Sequence, residues 1–380
     1  LTMINGVGPK LARLLIDHLG SVEEVFSPKA PFEKVPGIGE VMASRLRNMD
    51  TRPLLKRAEK EIEFIYRHDI TALFIDDPEY PSRLANCEDA PLLIFIKGKA
   101  DLESPKALSI VGTRRASDYG KYLCEKLVKD IAERHPGTLI ISGLAYGIDI
   151  CAHRAALKYG LPTVAVLAHG LDRIYPPSHR STATKICEQG ALVTEFMTDT
   201  NPDKPNFVRR NRIAAGLCDA VIVVESAEKG GALITAGLAA GYSRDVLAFP
   251  GRVGDELSAG CNRLIKANKA ALIETIDDLE YALGWESPTN FNRATQGYLF
   301  ATPDTPEEKQ IMDLLHEEKE MNLNLISTAT GIPIPRLSAI LLEMEFKGLI
   351  KSMPGGMYFF FRNEAILLIS TLSLHDALPL

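Results

Sequence analysis

The sequence predicts an α/β protein whose middle part is a doubly wound, mostly parallel β-sheet. Six short, nearly all-apolar runs follow one another from residue 107: ALSIVG, TLIIS, TVAVLAH, ALVTEF, DAVIVVE and DVLAFPG. Longer segments with helical spacing of apolar residues lie between them, at 118–134, 147–160 and 231–243. Strands that are apolar on both faces and alternate with helices are typical of a parallel sheet covered on both sides. A chain of 380 residues exceeds one ordinary core, so we expect two or three domains.

Composition indicates a globular protein, since 46% of the residues are hydrophobic and 24% are charged. No apolar run reaches the roughly 18 residues that a membrane-spanning helix needs, and the first residues lack a signal-peptide pattern. We therefore expect a cytoplasmic protein with no membrane contact, although position 1 is not Met and the true start stays open. The six cysteines include no CxxC pair, so we expect reduced thiols without a disulfide framework or a metal site.

Two stretches near the N-terminus, INGVGPKLARLL and VPGIGEVMASRL, resemble each other. In each, two closely spaced glycines precede a helix-forming segment, and such glycines allow a tight turn between helices. The pattern resembles a helix-hairpin-helix motif, whose turn offers backbone N–H groups to a phosphate. We expect a doubled hairpin module over 1–66, with four glycines as candidate contacts: Gly6, Gly8, Gly37 and Gly39. The alternative is a helical bundle in which these glycines only serve packing, and the 17 acidic against 14 basic residues of segment 1–104 leave it open.

Positive charge is concentrated in one stretch, KPNFVRRNRIAAGL, of a chain whose net charge is −6. Segment 105–285, which contains it, holds 22 Lys and Arg against 20 Asp and Glu. The spacing predicts a helix over 208–217, with Lys204 and Phe207 on the loop before it. Arg209 and Arg212, three residues apart, share one face of this helix. Cations beside an aromatic ring are typical of single-stranded nucleic-acid sites, where a base stacks on the ring. The alternative is a solvated basic face with Phe207 packed in the core.

Ligands of a doubly wound sheet gather where the carboxyl ends of strands meet the starts of helices. Three such junctions carry glycines or arginines that suit a phosphate: Thr113, Arg114 and Arg115 after the first run, Ser142 and Gly143 after the second, and Gly230 and Gly231 after the fifth. Neither a GxGxxG fingerprint nor a GK[ST] loop is present at these junctions. We therefore expect phosphate contacts here without a nucleotide cofactor.

Seven segments of the middle part carry a family resemblance. They occur in the order SIVGTRRAS, ISGLAYGIDICAHRAAL, GLDRIYPPSH, NFVRRNRIAAGL, GGALITAGLA, AFPGRV and GCNRLIK. Together, over roughly residues 70–285, they resemble the DprA/Smf family of DNA-processing proteins. The resemblance implies an extended Rossmann-like domain that forms a homodimer and binds single-stranded DNA. It also implies that the protein protects incoming strands in natural transformation and helps to load the RecA recombinase.

The same resemblance implies which positions face the DNA strand. They are Arg114, Ser142, Gly143, Lys204, Phe207, Arg210 and Asn211. The charge argument adds Arg209 and Arg212, and Thr113, Arg115, Gly230 and Gly231 are expected as secondary phosphate contacts. One departure concerns Asn268 and Lys269, which stand where many relatives have Gly-Ala, so the local turn geometry is in question.

An enzyme is the rival class, because similar sheets occur in nucleoside monophosphate phosphoribohydrolases. Their glycine loop is followed by a Thr and a catalytic Glu; here Thr235 is present, but no carboxylate follows before Asp245. Asp149 and His153, four residues apart, suit acid–base or metal chemistry, but a helix-start carboxylate paired with a buried His is the simpler interpretation. Without a GxSxG or HExxH motif, we favour a binding protein that has no catalytic residue.

Two further regions complete the organisation around the domain at 67–285. Segment 305–358 has three helix-patterned runs followed by a hairpin, which predicts a winged helix. Its charge, with 5 basic against 8 acidic residues over 305–360, favours contact with a protein partner or a regulatory role over binding of duplex DNA. We expect a linker over 286–304, and 359–380 resembles foreign or disordered sequence.

Overall fold

A computed structural model describes residues 1–27, 29–285, 305–318, 320–347, 349–353 and 357–360. The chain divides into two compact units, Leu1–Trp285 and Glu286–Leu380. The predicted linker at 286–304 and the predicted tail from residue 361 lie outside the described residues. Phe359 and Phe360 were predicted to belong to that tail, but they form part of a paired strand.

The first unit contains the predicted sheet, which has nine strands in the order β1-β2-β6-β5-β4-β3-β7-β8-β9. The strands are β1 (Thr71–Phe74), β2 (Leu93–Gly98), β3 (Ala107–Val111), β4 (Leu139–Ser142), β5 (Thr163–Val166), β6 (Ala191–Thr194), β7 (Ala220–Val223), β8 (Asp245–Ala248) and β9 (Ala271–Leu272). The six predicted runs are β3 to β8 and pair in parallel, whereas β1 and β2 extend the sheet antiparallel. From β3 the chain winds first through β4 and later through β7, so the switch point of the sheet lies at β3.

Helices cover both faces of this sheet. They are α1 (Pro9–Leu19), α2 (Val22–Val25), α3 (Glu40–Arg47), α4 (Arg52–Arg67), α5 (Ser82–Ala85), α6 (Asp118–Arg134), α7 (Ile148–Lys158), α8 (Arg180–Gln189), α9 (Lys204–Gly216), α10 (Gly231–Gly241), α11 (Ala259–Lys266) and α12 (Ile276–Leu283). Side chains of β3 alternate between the two cores: Leu108 and Ile110 pack with α6 and α7, and Ala107 and Val111 pack with α9 and α10. This alternation explains the nearly all-apolar strands.

Helix α9 begins at Lys204, four residues before the predicted start. Lys204 and Phe207 therefore lie on its first turn, and their predicted position on a preceding loop was wrong. Pro205 does not prevent helix formation here, because the first N–H groups of a helix have no intrahelical acceptor. The earlier start places Lys204, Phe207 and Asn211 on one face at helical spacing.

The N-terminal part forms two similar turns. Gly6 and Gly37 adopt left-handed backbone angles with φ of +87° and +80°, and Gly8 and Gly39 cap the starts of α1 and α3. Buried side chains of these helices join the same core as α9 and α10. The hairpin module is thus packed on the sheet unit and shares its core.

Helix α4 holds the loop that leads into α9. Arg57 donates to the Thr198 carbonyl at 2.6 Å, and Glu61 accepts from the Thr198 N–H at 3.0 Å. Arg57 and Glu61 also pair with each other at 2.9 Å, and the Glu61 side chain is buried. A buried carboxylate with this many donors fixes the loop firmly against α4.

The turn that contains Asn268 follows the end of α11. Asn268 adopts a φ of +53°, a left-handed angle that Asn tolerates better than most non-glycine residues. Its N–H donates to the Ile265 carbonyl at 3.0 Å and closes the end of α11. Asn268 therefore closes this turn in a left-handed conformation.

The second unit is the predicted winged helix. It consists of α13 (Pro306–Glu318), β10 (Glu320–Asn322), α14 (Leu323–Thr330), α15 (Ile334–Phe346), β11 (Ile350–Met353) and β12 (Met357–Phe360), with the sheet order β10-β12-β11. Arg336 pairs with Glu307 at 2.8 Å and Lys347 with Glu308 at 2.7 Å. Leu342 is more than half exposed on α15.

Within the described residues, no single helix is long and apolar enough to cross a membrane. One bent pair, Leu323–Thr330 and Ile334–Phe346, meets the length and composition criteria only when taken together.

Candidate nucleic-acid interface

A cleft of about 830 Å³ opens at the carboxyl ends of β3, β4 and β7. This is the switch point of the sheet, where ligands of doubly wound proteins bind. Nine of the predicted contact residues line it: Thr113, Arg114, Arg115, Lys204, Phe207, Arg210, Asn211, Gly230 and Gly231. The structure thus brings together residues that are more than 100 positions apart in the sequence.

An aromatic platform forms one wall of the cleft. Phe207 is half-buried, and its ring centroid lies 6.0 Å from that of Tyr175, which is 44% exposed. The guanidinium carbon of Arg114 lies 5.0 Å from the Phe207 centroid, within the range of a cation–π contact. Two accessible rings with a cation above one of them can hold a planar base and its phosphate.

Arg210 lies at the base of the cleft as a buried cation. Its residue is 4% exposed, and its Nε has no hydrogen-bond acceptor among the described residues. Burial lowers the pKa of Arg210, while the neighbouring carboxylate of Asp149 opposes that shift. A buried guanidinium is costly, and the unsatisfied Nε adds to that cost.

Gly143 makes room for that guanidinium. A Cβ at position 143 would lie 1.5 Å from Nη1 of Arg210, far inside any real contact. The loop after β3 comes similarly close to Gly147. A Cβ at this position would lie 2.1 Å from the Thr113 carbonyl oxygen, and its φ is +77°. The glycines of SGLAYG therefore allow side chain and backbone to approach this loop closely.

Asp149 supplies a buried carboxylate beside Arg210. Burial raises the pKa of Asp149, and the Arg210 charge together with the N–H groups of Ala145 and Gly143 opposes that rise. The predicted pairing of Asp149 with His153 was wrong. His153 instead bonds the Thr163 hydroxyl at 2.7 Å in the interior, where burial lowers the pKa of this imidazole to about 3 and keeps it neutral.

We expect binding of an anion in the cleft to strengthen as the pH falls from neutral towards about 4, the ordinary carboxyl range. Asp149 with its raised pKa gains a proton in that window, and the cleft then loses its opposing negative charge. Asp149→Asn should bind single-stranded DNA about tenfold more tightly at pH 7 and lose this pH dependence. Titrations at several pH values, with thermal unfolding of both proteins as a control, check this. A variant that keeps the pH dependence of the parent would contradict it.

Three predicted contacts do not line the cleft, and for the buried Ser142 and Arg212 the prediction is corrected. The Ser142 hydroxyl is buried and donates to the Ile110 carbonyl at 2.6 Å, so it joins two strands. Arg212 is buried and pairs with Glu195 at 2.6 Å. Arg209 lies 3.4 Å from the same carboxylate, on the side of α9 away from the cleft. Arg209 and Arg212 do share a face, as predicted, but that face meets Glu195.

Sequence reasoning missed Tyr175, Lys229 and Asp149 as members of the cleft. Tyr175 belongs to the segment GLDRIYPPSH, and Lys229 directly precedes Gly230, so both were adjacent to quoted signals. Their distance from the basic stretch in the sequence concealed their role. Apart from Asp149, no carboxylate lines the cleft among the described residues. Thr235 is also part of the lining.

The hairpin glycines do not reach the cleft. Gly8 lines a separate cavity of about 260 Å³ together with Arg209 and Glu195. Gly6, Gly37 and Gly39 are absent from the lining of both cavities, as far as the described chain shows. Within the same ranges, no three His, Cys, Asp or Glu side chains are grouped as metal ligands. The six cysteines are unpaired.

Family models match three parts of the chain. The model of DNA recombination-mediator protein A matches residues 71–284, that of the DprA winged helix domain matches 301–356, and that of a SAM-like helix-hairpin-helix tandem matches 1–52. The expected fold class is thereby confirmed, including both flanking modules.

Individual proteins are similar over much of their length. Protein Smf of Synechocystis is 31% identical over 94% of this chain and 96% of its own. Protein Smf of Escherichia coli is 36% identical over 74% and 75%. The crystal structure of DNA processing protein A of Streptococcus pneumoniae has a TM-score of 0.62 at 33% identity, covering 73% of this chain and 93% of its own.

A further structure addresses the single-stranded DNA binding mode of DNA processing protein A from Helicobacter pylori. It has a TM-score of 0.52 at 29% identity and covers 57% of this chain and 97% of its own. The family model matches more than half of the chain, and the Synechocystis relative is covered almost completely. The chain therefore belongs to the DprA/Smf family of DNA-processing proteins.

Proposed function

We propose that this protein binds single-stranded DNA in the cleft and acts in DNA processing, as a binding protein and not as an enzyme. The observation that carries the proposal is Arg210, a buried arginine in the lining of the cleft whose Nε has no acceptor among the described residues. The Helicobacter pylori relative, whose structure concerns single-stranded DNA binding, supports the choice of ligand.

The charge of the cleft supports the same ligand. Five cations line it, Arg114, Arg115, Lys204, Arg210 and Lys229, against the single carboxylate of Asp149 in the described lining. None of these cations forms an ion pair with another described residue. They are therefore available to phosphates, while the rings of Phe207 and Tyr175 are available to bases. Because every base has a stacking face, we expect little sequence preference.

The wider role in this proposal follows the family. The protein protects incoming strands during natural transformation, helps to load RecA, and works as a homodimer in the cytoplasm. The winged helix contacts a protein partner in this scheme. The domain boundaries at 66, 285 and 305 belong to the same proposal. A gel-filtration measurement of mass and a RecA-loading assay on a coated strand test the dimer and the recombinase step separately.

Two substitutions separate stacking from ion pairing in the cleft. We expect Arg114→Ala to weaken binding to labelled oligothymidine and to lower the slope of log affinity against log salt by about 0.7. Phe207→Ala should weaken binding by about 1–3 kcal/mol and leave the slope nearly unchanged, because it removes a stacking surface and no charge. Fluorescence anisotropy over a series of salt concentrations measures both. Weak binding without a preference over a matched duplex, unmoved by either substitution, would overturn the proposal.

A second candidate function is a nucleotide-binding, phosphoribohydrolase-like enzyme. Thr235 and the glycines at 230 and 231 do line the cleft, which favours a phosphate of a small nucleotide equally well. The described lining offers one carboxylate, Asp149, which lies on α7, whereas Thr235 lies on α10. Release of free base from nucleoside monophosphates, lost in Asp149→Asn, would favour the enzyme.

A further inference from the structure

We propose that the DNA strand continues from the cleft into a second basic groove between helices α7 and α8. This inference rests on the proposed function and adds a second binding segment to it. The groove has a volume of about 720 Å³ and is lined by Arg154, Leu157, Lys158, Ser181, Thr182, Lys185, Glu188 and Gln189.

The topology of the sheet places the mouth of this groove next to the cleft. Helix α7 connects β4 to β5 and α8 leads into β6, and these three strands are parallel neighbours. Both helices therefore begin near the carboxyl edge of the sheet, where the cleft lies, and run away from it. Asp149 on α7 lines the cleft, and Arg154 follows five residues later, about 7.5 Å along the helix axis.

Exposed aromatic and hydroxyl groups connect the two sites. Tyr175 lines the cleft, and Ser178, three residues later, has its hydroxyl 3.4 Å from that of Tyr146. The Tyr146 ring is 49% exposed and packs edge-on against His179 with centroids 5.0 Å apart. Arg180 and Ser181, both exposed, then begin α8. In the proposed path, a strand that leaves Phe207 passes Tyr175 and Tyr146 before it reaches the groove.

Two of the three cations that line the groove lack an ion-pair partner among the described residues. Arg154 and Lys185 are exposed and form no ion pair within the described ranges, whereas Lys158 pairs with Glu125 at 2.6 Å. Arg180, at the start of α8, is also exposed but does not line the groove. Glu188 is the acidic residue in the described lining. Arg154 and Lys158 lie one turn apart on α7, and the charge of Lys158 is already balanced by Glu125. Lys185 lines the same groove from α8, so Arg154 and Lys185 together offer two cations without an ion pair to the phosphates of a bound strand.

Charge reversal tests the groove against the cleft. The variant Arg154→Glu with Lys185→Glu is compared with Lys60→Glu with Lys266→Glu, which makes the same change in net charge on exposed residues outside both sites. Oligothymidines of about six and about twenty nucleotides serve as short and long probes. We expect the groove variant to bind the short probe like the control, within twofold, and the long probe at least tenfold more weakly. Its salt slope for the long probe should fall by about 1.4, two phosphate contacts at about 0.7 each.

Failure of the groove and failure of the cleft give different results. If the groove variant binds both probes like the control, the inference is wrong, and any gain with probe length then arises elsewhere, for example on a second copy of the chain. An equal loss for both probes would overturn it as well. If instead the wild type binds the short probe weakly and Arg114→Ala leaves that binding unchanged, the proposed function itself is wrong.

Discussion

Gly143→Ala should lower the affinity for single-stranded DNA about 100-fold without altering any charge. The added methyl group would lie 1.5 Å from Nη1 of Arg210, so the guanidinium has to leave the base of the cleft. Arg210→Ala removes the same group directly and should cause a similar loss. A loss of this size corresponds to about 2.7 kcal/mol, in the range of a charged hydrogen-bonded contact.

A double-mutant cycle sharpens this test. If Gly143 acts only through Arg210, the two losses are not additive, and the double variant binds like Arg210→Ala. Gly237→Ala is the matched control, because a Cβ at that exposed helical position meets no atom within 4 Å. Anisotropy titrations measure the affinities, and circular dichroism checks the fold. Unchanged binding by Gly143→Ala would mean that Arg210 does not hold the strand.

Arg212→Ala should have the largest effect on stability, about 3–5 kcal/mol, while the folded protein keeps its DNA affinity. Arg212 and Glu195 are both buried and pair at 2.6 Å, and Arg212 also donates to the Asp89 carbonyl. Removing the cation leaves the buried Glu195 carboxylate with only the longer contact to the exposed Arg209, which is the costly way to break such a pair. Urea unfolding measures the loss.

Arg209→Ala provides the control for this prediction, since Arg209 approaches the same Glu195 carboxylate. Its side chain is 55% exposed and the distance is 3.4 Å, so the substitution should change the free energy of unfolding by less than about 1 kcal/mol. Equal stability of the two variants would contradict the structural role of Arg212. Weaker DNA binding by folded Arg212→Ala would mean that this residue does contact the DNA.

The sheet could be predicted from the sequence because each central strand is buried on both faces. Runs such as DAVIVVE leave few alternatives to a parallel strand, and the switch-point rule then placed Arg114 and Gly230 at one edge. The start of α9 was less predictable, because Pro205 is compatible with a loop and with a first turn. That uncertainty moved Lys204 and Phe207 from a loop to a helix without removing them from the site.

The sequence alone could not predict which way the arginines of α9 point. Periodicity placed Arg209 and Arg212 on one face of α9, but only the fold brings Glu195 against that face. Arg210, between them, is accommodated by Gly143, which lies 67 positions earlier in the chain. Charge density along a segment therefore located the site, whereas tertiary neighbours decided which of its cations remain available.

The hydrogen bonds of Arg57 and Glu61 to Thr198 affect how the chain can be divided into stable fragments. The sequence predicts a boundary between two modules after residue 66. These hydrogen bonds and the common core nevertheless join the two modules into one folding unit. Removing the first 66 residues would uncover apolar side chains beneath α9 and release the loop that leads into it. The hairpin module therefore stabilises the wall of the cleft that α9 forms. In a fragment that lacks this module, we expect local unfolding to begin at α9.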